Sequence, residues 1–191
     1  MIHAERYLWD AADVLAQLDR GQLAALAAEI TALSMGKGRL FIAGMGGSAA
    51  NASHAAGDFR KLAGIEAYAL HDNAAELTAR INDDGVSSCY AEILRTSRAC
   101  SDDALLVLSV GGGTYAVSVP LMRAIDYAKA VGMRVLGIVG RDGGYTKQRG
   151  DTVVLIPEVV GSVTPHTEAF QSMVLHYLVS HPGIQRRATK W

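Results

Sequence analysis

The chain is poor in aromatic residues, proline and cysteine, and it carries almost no net charge. Each shortage excludes something. Lysine and arginine number 18 against 19 aspartates and glutamates, so there is no basic field to hold a phosphodiester backbone and no nucleic-acid partner is expected. No uncharged apolar stretch reaches the ~20 residues that cross a bilayer. The opening MIHAERYLWD is acidic where a leader would be cationic and then apolar. A cytoplasmic protein without a membrane partner is expected. The two cysteines, Cys89 and Cys100, lie 11 apart on what reads as a helix and its exit. A short disulfide there is permitted but not required, and reduced structural thiols are expected. No repeat, low-complexity segment or Pro/Ser-rich linker divides the 191 residues, a length that buries roughly 70% of the unfolded chain's surface without staples. One domain over 1–191 is expected: leading helices in 1–37, a core in 38–180 and, after a helix stop, a basic tail in 181–191 with room to move.

What is present is a series of short, β-branched, nearly continuous apolar runs: RLFIAG (39–44), ALLVLSV (104–110), RVLGIVG (134–140) and TVVLIP (152–157), with IEAYAL (65–70) as a fifth. Continuous rather than alternating hydrophobicity marks strands buried on both faces. Segments 47–62, 114–131 and 165–180 between and after them have helical periodicity, so strands alternate with helices and a parallel sheet covered by helices follows. Two amphipathic stretches, 4–18 and 20–34, precede the first strand. They either cap one sheet face or form an oligomer interface, and the interface is preferred.

The clear strands run into GMGGSAAN, SVGGGT and GRDGG. In an open parallel sheet the ligand crevice lies at these carboxyl ends. Glycines let the backbone approach an anion, and the free N–H groups of a helix's first turn supply donors. Ser48, Ser109 and Thr114 add hydroxyls. A terminal phosphate fits this chemistry. GMGGSA lacks the Lys-Ser/Thr pair of a P-loop and places Ala49 at the sixth position of G-x-G-x-x-G, and no acidic residue ends the second strand, so no nucleotide cofactor is expected.

Residues 44–54, GMGGSAANASH, resemble the first loop and helix of sugar-isomerase (SIS) domains, closest to the phosphoheptose isomerases, whose usual form is G-N-G-G-S-A-A-D-A-Q-H. ALHDNAAELTARINDDG (69–85) and GMRVLGIVGRDGG (132–144) continue the resemblance in order and spacing. The resemblance implies a three-layer αβα sandwich with a five-stranded parallel sheet, flavodoxin-like in order. It also implies a homotetramer, an active site between subunits, and sedoheptulose 7-phosphate as substrate. It places Gly46, Gly47, Ser48, Asn82, Asp83, Ser109, Gly111, Gly112 and Thr114 at the substrate or its phosphate.

Aldose–ketose isomerisation passes a proton between neighbouring carbons through an enediol, and so needs a carboxylate base and an acid. His54 and Asp58 are four apart on one predicted helix, and Glu168 and His176 eight apart on another, so each pair shares a face. The family sets a His and a Glu on the first helix and a Gln and a His on the last, as catalytic and metal-binding groups. Here Asp58 stands where Glu is usual and Glu168 where Gln is usual. Asp58 or Glu168 is then the base and His176 the acid. Alternatively His54, Asp58, Glu168 and His176 hold a divalent ion such as Zn2+. SVGGGT also lacks two hydroxyls of the family's S-T-S-G-N-S. These departures are what a non-catalytic SIS module would show, a sugar-phosphate-binding or protein-binding regulator of the replication-initiator-associated type. His71 and His166 are assigned no role.

Overall fold

A computed structural model describes residues 2–190. Five parallel strands, β1 (Leu40–Ala43), β2 (Ala67–Ala69), β3 (Ala104–Ser109), β4 (Arg134–Val139) and β5 (Thr152–Leu155), form one sheet in the order β2-β1-β3-β4-β5. Every residue of β1 and β3 is buried, as their unbroken apolar runs require. The sheet divides two apolar clusters. Leu106 and Leu108 of β3 point into one, with Leu26, Phe59 and Val174. Leu105 and Val107 point into the other, with Leu94, Leu121 and Ile125. The alternation produces three layers.

The helices are α1 (His3–Gln17), α2 (Arg20–Met35), α3 (Gly47–Asp58), α4 (Ala74–Asp84), α5 (Cys89–Thr96), α6 (Val119–Ala130), α7 (Gly144–Arg149) and α8 (Val163–Ser180). α3 continues as a π-helical turn, Phe59–Ala63. Its inward residues Ala52, Ala55 and Ala56 are small and buried, so it lies close against its neighbours. α6 begins at Val119, later than the predicted 114, because Ser118 is held at a left-handed φ of 60° and the backbone before it turns. α7, six residues long, is too short to announce itself by periodicity.

The leading helices differ from expectation. α2, capped by the Asp19 carboxylate on Gly21 N–H at 2.7 Å, buries Leu26 and Ile30 completely, and its Gln22 side chain accepts the Leu155 N–H at 2.9 Å. It therefore caps the sheet. α1 buries only Val14 and leaves Leu8 and Trp9 about two-thirds exposed, at 68% and 65%. The tail is not free either. Ile184 is fully buried, and the Arg186 and Arg187 amides both donate to Leu62 O, at 2.8 and 3.0 Å. Among the described residues both cysteines are unbridged, Cys89 buried and Cys100 exposed. Burial pushes the Cys89 thiol pKa up. No described helix is long and apolar enough to cross a membrane.

Candidate active site

The chain leaves β1 toward β2 on one side and β3 toward β4 on the other, so the winding reverses between β1 and β3. Ligand crevices lie outside such a switch point. A cavity of about 700 Å³ opens there, lined by Met45, Ser109, Gly111, Gly113, Thr114 and Arg141 among others. Two glycine loops build its floor by bonding to each other. Thr146 donates its N–H and its hydroxyl to Gly112 O, at 2.9 Å and 2.7 Å, and Tyr145 N–H donates to Gly113 O at 3.0 Å. Gly112 has φ +71°, and a methyl group on it would overlap Gly143 O. Its glycine is thus spent on loop packing, and it is not among the cavity-lining residues. Ser109 Oγ accepts the Gly112 N–H at 3.0 Å, and Thr114 Oγ1 accepts the Val117 N–H at 3.0 Å. Both hydroxyls keep a proton to offer.

The first loop is set differently. Tyr90 donates its hydroxyl to Gly44 O at 2.7 Å, and burial, with Cys89 nearby, pushes the phenol pKa up to about 12, so it stays a neutral donor. Gly46 opens α3 with φ +63°. Ser48 does not project toward the crevice as the motif implies. It is buried and donates to Gln171 Oε1 at 3.0 Å. Asn51 donates to the same oxygen at 3.2 Å and to Glu168 O at 2.9 Å, while Gln171 donates to Ile138 O at 3.3 Å. This network welds α3, α8 and β4. Gln171 and Asn51 escaped the sequence reading. The available signal for Gln171 was a carboxamide within the apolar stripe Phe170, Val174, Leu175 and Leu178.

The outer face of the α3/α8 pair carries a second arrangement. His54 Nε2 lies 3.1 Å from Asp58 Oδ2, His176 Nδ1 lies 3.8 Å from the same oxygen, and the two imidazoles meet edge to face at 5.1 Å between centroids. One ligand atom from each of the three lies within 4.8 Å of the others. The i,i+4 spacing stacks His54 on Asp58, and α8 brings His176 across. They line a cavity of about 560 Å³ with Met173, Tyr177 and Gln185 among its other walls. Two imidazoles and a carboxylate suit a three-ligand zinc site with an open position.

Glu168 does not join this group. Its half-buried carboxylate sits where a methyl on Gly47 would be, beside the amino end of α3, where the helix dipole favours negative charge. The fourth expected metal ligand is therefore at the other end of the helix pair. Asn82 and Asp83 end α4, exposed and bonded to each other at 2.8 Å, and line neither cavity. His71 Nε2 meets Ser53 Oγ at 2.9 Å, and His166 is buried in a stack on Tyr7 with centroids 4.3 Å apart.

A five-stranded parallel sheet covered by helices on both faces, with a crevice at its switch point, places the chain in the doubly wound α/β class. The SIS domain model matches residues 6–140, and the chain belongs to the SIS domain family. A phosphoheptose isomerase of Chlorobaculum tepidum is 30% identical over 80% of this chain and 75% of its own length, and one of Leptospira biflexa is 34% identical over 76% and 74%. The solved phosphoheptose isomerase of Neisseria gonorrhoeae superposes with a TM-score of 0.78 at 25% identity, covering 93% of this chain and 92% of its own. That of Francisella tularensis, at 20% identity, shares the fold with a TM-score of 0.80 over 94% and 97%.

Proposed function

We propose that the protein is a phosphosugar isomerase that interconverts the ketose and aldose forms of sedoheptulose 7-phosphate or a closely related sugar phosphate. The observation that carries this reading is the convergence of His54, Asp58 and His176 on a fold shared with phosphoheptose isomerases. The names of the curated relatives favour an enzyme over a non-catalytic binding module. The phosphate is held at the strand-end cavity by Ser109, Thr114 and loop amides. At the reacting end Asp58, held in place by His54, takes the proton from one carbon and returns it to its neighbour, while His176 hands a proton to the carbonyl oxygen and takes one back from the neighbouring hydroxyl as that becomes the new carbonyl. Alternatively, His54, Asp58 and His176 would hold a zinc ion, which would supply polarisation of that carbonyl in place of their acid–base roles. Glu168, expected as an alternative base, stands at the phosphate end.

His54 and Asp58 lie seven and eleven residues beyond Gly47 on α3, about 10 to 16 Å along the axis. The cluster and the phosphate donors also line separate cavities of the one chain. A homotetramer with its active sites between subunits supplies the remedy: the cluster of one chain faces the phosphate cavity of another, and Asn82 and Asp83 are presented across the same boundary. The exposed Leu8 and Trp9 of α1 give such contacts an apolar surface. A cytoplasmic setting completes the reading.

The test is NMR of sedoheptulose 7-phosphate and related ketose phosphates with purified protein, with and without added zinc and then a chelator. An aldose product, with solvent deuterium entering at the neighbouring carbon, is expected. Absence of both product and exchange in every mixture overturns the reading. Light scattering that shows a monomer overturns the shared site.

A further inference from the structure

We infer that Arg141 binds the phosphate of the substrate and supplies the charge that the SVGGGT loop, short of hydroxyls, does not; this rests on the sugar-phosphate reading above. Arg141 directly follows Gly140 at the end of β4 and lines the strand-end cavity. Its backbone is at φ +51°, one of only three non-glycine residues with positive φ among those described. A left-handed conformation costs a residue with a Cβ of order 1 kcal/mol or more, and such strain gathers at ligand sites. Here it aims the side chain over the glycine loop: Arg141 Cδ lies 3.9 Å from where a Gly111 Cβ would be.

The guanidinium is otherwise unengaged. Among the described residues it makes no hydrogen bond or ion pair, whereas Arg39, Arg80, Arg95 and Arg134 all pair with carboxylates. The neighbouring Asp142, which also lines the cavity, accepts the Gly144 N–H at 3.1 Å and is not paired with Arg141. Glu158 lines the same cavity without pairing to Arg141. An unpaired arginine fork beside Ser109 and Thr114 matches a phosphate in charge and geometry. Arg141 is thus a binding residue of the reaction, and the GRDGG loop serves both to brace SVGGGT and to present this cation.

The test is calorimetric titration of wild type, Arg141→Gly and Arg141→Lys with three probes: sedoheptulose 7-phosphate, sedoheptulose without phosphate, and inorganic phosphate. Glycine accepts positive φ without strain, so Arg141→Gly removes the cation and keeps the loop, with a melting curve as the check on folding. The expected result is a ten- to hundredfold weakening, on the order of one charged hydrogen-bonded contact, for both phosphate-bearing probes and none for the free sugar. Partial recovery is expected in Arg141→Lys. Equal affinity of Arg141→Gly and wild type for the phosphate probes, or equal weakening for the free sugar, overturns the inference. If wild type binds inorganic phosphate through Arg141 but no sugar phosphate, the anion site stands and the sugar-phosphate reading falls. If wild type binds neither, both fall.

Discussion

The two ends of the α3/α8 pair are built from different materials. At the strand-end cavity the shape is set by backbone: glycines at positive φ, carbonyls taken up by a neighbouring loop, and hydroxyls already serving as acceptors. On the outer face the arrangement is made of side chains alone, placed by helical spacing. A backbone-built shape does not accept an added Cβ, whatever side chains it presents to a ligand, whereas a side-chain-built arrangement is undone by changing one functional group.

Asp58→Asn tests the second half of that contrast most severely. It removes the proposed base, and we expect the turnover number to fall about 10²- to 10⁴-fold with far-ultraviolet circular dichroism unchanged. An unaltered rate would place the chemistry elsewhere. The carboxylate of Asp103 makes the structural counterpart at the sheet's amino edge. It is buried, accepts from the Arg39 amide and guanidinium at 2.7 to 3.1 Å, and accepts the Cys100 N–H at 3.0 Å. Burial alone raises its pKa, but the bonds from Arg39 and Cys100 outweigh this and hold it below the ordinary carboxylate value. A depressed folded pKa contributes stability that is complete above the unfolded value of about 3.9 and is lost as pH falls from there through the folded value. Asp103→Asn is expected to cost about 3 kcal/mol or more at neutral pH and to flatten the acid end of a denaturation series.

Gly112→Ala addresses the backbone half. A strained φ and the overlap with Gly143 O together cost about 2 to 3 kcal/mol, read as a lower urea midpoint, and the affinity for phosphate falls with it. The mildest change is Ser48→Ala. Because that hydroxyl is turned inward to Gln171, its loss costs about 1 kcal/mol of stability while the KM for sugar phosphate stays within about threefold. A larger rise in KM would mean that Ser48 turns outward to the ligand.

Much of the architecture was legible because continuous apolar runs have one main explanation in a chain of this size, a strand covered on both faces. All five strands lie where those runs predict. The site was legible in part. His54, Asp58 and His176 are brought together because helical spacing and one pair of packed helices settle the matter. Glu168 defeats the same logic: the eight-residue interval puts it on the same face as His176 but two turns away, and the missing Cβ at Gly47 gives its carboxylate a place to settle. The roles of Ser48 and Gly112 were hidden because a motif shows which residue is small or hydroxylated and not what it bonds to. Gln171 was hidden for a related reason: it looks like one polar interruption in an apolar stripe until Ser48 and Asn51 are seen to share its oxygen.

The π-helical turn after Asp58 has a practical side. Leu62 O takes up the amides of Arg186 and Arg187, so the last part of the chain is led back toward α3, and Gln185 and Thr189 help to wall the cavity that holds His54, Asp58 and His176. A polyhistidine purification tag fused after this segment would begin beside that cavity and compete with the protein's own imidazoles for any metal supplied. Metal stoichiometry and activity are therefore best measured on protein tagged at the amino end or with its tag cleaved away.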